Sequence, residues 1–171
     1  MPRTTHDRSL DHRGTELDTD VLLDGALAAP TSTASGQTVH QALVDTNAAF
    51  RDGGVNVVIG NGSTVVATGL VPLPAVEIPF DGTITAVRLF ADQSGSIVID
   101  IWKDTYANYP PVNADSITAS APPTISSATK SQDTTLTGWT TTVTEGDVLR
   151  FNVDSATTIT QVTLALRIRR T

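Results

Sequence analysis

The sequence predicts an all-β protein: an antiparallel, jelly-roll-like β-sandwich preceded by an extended N-terminal arm and one short helix. Three observations carry this. From Val55 to Arg170, runs rich in Val, Ile, Thr and Phe alternate apolar and polar positions, the period of a half-buried strand. Turn signals built from Gly, Asn, Asp and Pro separate these runs at short spacing, giving about eight strands. Charged residues make up 17% of the chain, which is low for a helical protein and ordinary for a Thr-rich β protein.

Residues 1–54 are expected to form the anchoring arm. They show no sustained period, and Pro30 and Gly36 interrupt them. Alone they bury too little apolar surface to offset the entropy of ordering. Val21, Leu22, Leu23 and Leu27 read as anchors onto a partner surface. Between residues 37 and 50, Val39, Leu43, Thr46 and Phe50 recur near helical period, and Gly53-Gly54 follows as a stop. A short helix is expected there.

Residues 55–171 form the predicted head. Asn61-Gly62 favours a tight hairpin turn between VNVVIG and TVVATGLV. In AVEIPF, Pro79 lacks an amide donor, so the strand is expected to lie at an edge or to carry a bulge. Residues 83–111 are the expected centre. Ile84, Ala86, Arg88 and Phe90 share one face, with Thr85, Val87 and Leu89 on the other. After ADQSG, Ile97, Ile99 and Ile101 share a face, opposite Val98, Asp100 and Trp102. This pattern predicts a second hairpin. Residues 105–133 hold four of the nine prolines and read as an ordered excursion across one end of the sandwich. Trp102, Tyr106 and Tyr109 are expected to gather near its start, either to contact a glycan or partner or to pin the loop to the sheet. Glu145-Gly146-Asp147 then turns the chain between the last strands. The pattern T-I-T-x-V-x-L occurs at residues 83–89 and again at 158–164.

The chain has 171 residues, a net charge of −7 and no cysteine. An acidic chain disfavours nucleic-acid binding, and no disulfide or thiolate metal site is available. No apolar run reaches the length of about 18 residues that suggests a membrane span. The first residues lack an apolar signal core, so synthesis in a cytoplasm is expected. His6, His12 and His40 are too few and too dispersed for a zinc site. Asp18, Asp20 and Asp24 lack the glycine and closing glutamate of a calcium loop. Asp100 and Asp104 share a strand face as a glycosidase pair would, but so few aromatics argue against that chemistry. Arg167, Arg169 and Arg170 read as a solvated strand edge or a surface for acidic neighbours. No catalytic residue, metal or cofactor is expected.

Within residues 55–171, the segments FDGTITAVRLFADQSGSIVIDIWKDTYANYPP and GWTTTVTEGDVLRFNVDSATTITQVTLALRI resemble a domain of tailed-bacteriophage structural proteins, of fibre, spike or decoration type. ADQSGSIVIDIWKDTYANYPP is the specific part. HDRSLDHRG is similar to short segments that open phage fibre proteins. The resemblance implies a β-sandwich head that trimerises and a virion protein without catalytic residues. Its expected partners are capsid, fibre or connector subunits. The expected role is head decoration or head fibre; the alternative is a tail fibre that contacts host surface glycan.

Overall fold

The computed structural model describes residues 51–171 except Pro74; residues 1–50 of the expected arm, with its anchors Val21, Leu22, Leu23 and Leu27 and the expected helix at 37–50, lie outside the described residues. Asp52, Gly53 and Gly54 of the expected arm belong instead to the first strand. The described part is all-β and antiparallel, a single sheet strongly curled into a half-barrel. Its strands are β1 (Asp52–Gly60), β2 (Gly69–Leu70), β3 (Val76–Glu77), β4 (Gly82–Thr105), β5 (Thr124–Asp133), β6 (Thr142–Val143), β7 (Asp147–Thr157) and β8 (Gln161–Arg170). The main order is β1-β8-β4-β7-β2, with β3 on β7 and with β5 and β6 on β4. No helix of seven or more residues occurs among the described residues.

The centre is not a hairpin. TITAVRLF and SIVIDIW belong to one strand of 24 residues, β4, and do not pair with each other. Along one edge, β4 pairs with β8 as far as Ala91 and with β7 from Ser96 onward. Along the other, its register against β5 shifts between Phe90 and Gly95. ADQSG is therefore the bend of a continuous strand. Gly95 makes the bend feasible: a Cβ there would collide with the Thr157 carbonyl, Thr158 Oγ1 and the Ile159 side chain. Polar, Gly-bearing composition signals a sharp change of direction, but not whether the chain doubles back.

The faces of β4 differ from strict alternation in one half. A register shift between Ile84 and Ala86 acts as a bulge and places Ile84 on the inside together with Val87 and Leu89, while Arg88 faces out beside exposed Phe90. One extra residue exchanges the faces of everything beyond it. In the second half Ile97, Ile99 and Ile101 are fully buried, as their alternation predicts.

Two other strand expectations change. The Asn61 turn forms, with Asn61 Oδ1 accepting from the Ser63 and Thr64 amides at 2.9 and 3.0 Å. The expected hairpin partner does not: β1 pairs along its whole length with β8, and only Gly69–Leu70 of the following segment joins the sheet, on β7. Gly53 and Gly54, read above as a helix stop, lie within β1. The excursion at 105–133 is ordered, but its last third is β5. β3 pairs with β7 alone, consistent with an edge next to Pro79.

A single core cluster fills the concave side. β1 gives Val55, Val57 and Ile59; β8 gives Val162, Leu164, Leu166 and Ile168; β7 gives Leu149, Phe151 and Val153. They join the inward residues of both halves of β4. β8 lies between β1 and β4, so its arginines do not guard an edge. Arg169 Nε meets Asp52 Oδ1 at 3.2 Å, and the Arg170 guanidinium sits 4.0 Å over the Phe80 ring. The two T-I-T-x-V-x-L segments meet as neighbours in this one sheet, where Leu89 is paired with Leu164.

Candidate functional site: a tyrosine loop braced by Asp100

β4 ends at Thr105, and the chain leaves the sheet through two 3-10 turns, Tyr106–Asn108 and Asn113–Asp115. It returns to the edge of β4 at Ser116, which bridges to Trp102, while the Ile117 amide donates to the Ile101 carbonyl at 2.9 Å. Further on, the Ile99 amide donates to the Pro123 carbonyl. The loop is thus tied to the strand it left.

Asp100 fixes the returning segment. Its carboxylate accepts four hydrogen bonds: from the Ile101 amide at 2.7 Å, Trp102 Nε1 at 2.8 Å, Ser116 Oγ at 2.7 Å and Thr118 Oγ1 at 2.5 Å. Asp100 and Thr118 are both buried. A buried carboxylate needs such a set of donors to offset lost hydration. Neither Asp100 nor Trp102 faces solvent, because the returning chain covers them. Asp100 is thereby enclosed and has no open side towards a substrate.

Asp104 does separate work. It is half-buried, and it accepts from Asn108 Nδ2 at 3.1 Å and from the Thr105 amide at 2.7 Å. The Asn108 side chain, then the Thr105 amide, hold its carboxyl below the usual aspartate range; partial desolvation opposes them and Lys103 adds a smaller attraction. The second turn is closed by Asp115 Oδ2, which accepts from the Val112 amide at 2.7 Å. Arg150, beside Trp102 on β7, donates through Nη1 to the Pro111 carbonyl at 3.2 Å. Its buried Nε has no partner among the described residues.

The three aromatics expected to gather are separated by this bracing. Trp102 is only 9% exposed and belongs to the support, while Tyr106 and Tyr109 are 80% and 51% exposed. Val112 is exposed beside them in sequence. The supports Ser116, Thr118 and Arg150 were not anticipated. The one signal in the sequence was Asp100 itself, a carboxylate within the apolar run IVIDIW.

The loop stands at a defined end of the head. Thr105 pairs with Asp147, and Gly82, the other end of β4, pairs with Val143. The short turn from Thr144 to Asp147 joins them, and the Glu145 amide donates to Asp81 Oδ1 at 2.8 Å. Asp147 is held there by Lys103 Nζ and the Thr144 amide, at 2.8 and 2.9 Å. The start of β1 is at this same end, since Asp52 pairs with Arg169 and Arg169 with Thr83. The bends of β4 and of the β7–β8 connection lie at the opposite end. No protein-family model matches the chain, and no curated protein matches it.

Proposed function

We propose that this chain is a structural protein of a tailed-bacteriophage virion, displayed on the particle surface as a homotrimeric head-decoration or head-fibre protein. The residues ahead of β1 anchor it to capsid or fibre subunits, and the β head projects. The two halves of the curled sheet, one built on β1 and β8 and the other on β7, act as the layers of a jelly-roll-like sandwich over their shared core. The resemblance of the central strand and tyrosine loop to phage structural domains supports the reading.

The observation that carries an assembly role is the position of the tyrosine loop. Two exposed tyrosines on a braced loop stand at the end where the chain enters β1. A partner that meets the head at that end meets these rings. Aromatic rings with little side-chain entropy to lose suit such a contact. Electron microscopy of purified particles with a labelled antibody tests this. Many copies around the head are expected; label confined to the tail overturns it.

The second reading, a tail adhesin contacting host glycan, is favoured by the 80% exposure of Tyr106, which leaves a ring face available for stacking. It expects few copies per particle and inhibition of adsorption by excess free protein.

A further inference from the structure

The outer face of the half-sheet formed by β1, β8, β4 and β5 has an unusual character for an acidic protein. The registers align two rows across it: Val58, Thr163, Phe90 and Lys130, and next to them Asn56, Ala165, Arg88 and Gln132. Arg167 follows in the third row, beside Gly54 and Ala86. Phe90 is 48% exposed and Val58 57%. Shallow depressions of about 420 and 370 Å³ flank Phe90 and Arg88, one towards Lys130 and one towards Arg167. Among the described residues the ion pairs are Lys103–Asp147 and Arg169–Asp52, and neither uses Arg88, Lys130 or Arg167. A large exposed aromatic among cations on a two-sided sheet marks a contact surface.

The complementary chemistry is written in the same chain. Residues 1–50 contain three arginines against seven carboxylates, a net charge of −4. Within them, residues 16–27 contain Glu16, Asp18, Asp20 and Asp24, no cation, and the apolar Leu17, Val21, Leu22, Leu23 and Leu27. We infer that residues 16–27 of a second copy dock on the Arg88–Phe90–Lys130–Arg167 face, their carboxylates meeting the three cations and their leucines covering Phe90 and Val58. This rests on the proposed assembly role and gives residues 16–27 a partner within the assembly, the rest of the arm being left to meet capsid or fibre subunits. In a closed ring each copy offers one segment and one face, so exchange of the same element around the ring fills every face. Electrostatic complementarity sets the register of such a contact and makes it sensitive to salt.

The test uses the full chain, mixed in equal parts from unlabelled and ¹⁵N-labelled preparations and joined by a zero-length carbodiimide. The chain has two lysines, Lys103 and Lys130, and Lys103 is occupied by Asp147. Links between Lys130 and Glu16, Asp18, Asp20 or Asp24 that combine both labels are expected, and they should fade as salt is raised. R88E/R167E should weaken association about fivefold by sedimentation, with an unchanged β spectrum. Neutralising the four carboxylates to amides should do the same without touching the head. Links within single labels only, no Lys130 links to residues 16–24, or association indifferent to both variants overturns the inference. Particle labelling on the head with no mixed links would sink this inference alone, whereas absence from particles would sink the assembly reading.

Discussion

Two aspartates show how a carboxylate holds loops in this head. Asp100 receives four donors in a buried place, so removing it strands all of them. D100A should lower stability by about 3 kcal/mol; D100N, which keeps one acceptor oxygen, should fall between. Urea midpoints measure the loss, and amide exchange should quicken at Ser116–Thr118 before the sheet opens. Asp92 is exposed and clasps the β7–β8 connection, accepting from the Thr160 hydroxyl and from the Thr160 and Gln161 amides. The Thr160 hydroxyl, and to a smaller extent these amides, hold its carboxyl below the usual range, against a desolvation effect of opposite sign. The folded group therefore binds its proton less tightly than the unfolded one. Its contribution is complete above the unfolded value and disappears as pH falls through the lowered folded value. Stability should decline on acidification from about pH 5 towards pH 2, and D92N should flatten part of that decline in urea titrations. Asp100 was visible in the sequence as a charge inside an apolar strand. Its donors were not, because Ser116 and Thr118 reach it only after the chain has left the sheet and returned.

At the scale of elements, alternation identified the inward isoleucines of β4 and the strand character of β7 and β8. It misplaced the first half of β4 because the bulge near Thr85 has no signature of its own in TITAVRLF. It also read a bend as a hairpin, since Asp, Ser and Gly favour both. What separates them is which strands lie alongside: β8 and β7 pair with successive halves of β4, and this long-range choice is not encoded in the local pattern. Tyr106 and Tyr109 were legible as neighbours of Trp102 in the chain. Their separation into exposed and buried groups depended on the path of the returning loop. The bend yields a sharp prediction at Gly95. Its φ is unremarkable, so the requirement for glycine is space against the Thr157 carbonyl and the Ile159 side chain. G95A should cost about 1–3 kcal/mol through forced displacement of backbone. Gly62, which has positive φ and open space where a methyl group would project, supplies the contrast: alanine there strains the turn alone and should leave exchange at Thr157–Ile159 unchanged.

For the whole molecule, the decisive point is where the core's partners reside. Each long strand finds its neighbours between Asp52 and Arg170, and Ala49–Thr171 forms a compact unit by itself. Among the described residues, the apolar residues of β1, β4, β7 and β8 meet in one cluster. A chain beginning at Ala49 should therefore keep its β spectrum and unfold in one cooperative transition. The front segment carries most of the excess negative charge and, on the proposed reading, the contacts between subunits. Mass action then separates the two forms: a Tm that depends on association rises with protein concentration, and one set by the monomer does not. The full chain should gain stability across a hundredfold concentration range while the shortened chain stays level in the same calorimetric scans. If the shortened chain instead loses cooperativity, residues 1–48 belong to the fold of their own head. If both forms respond equally to concentration, the head itself makes the subunit contact, and the tyrosine loop becomes the first surface to alter.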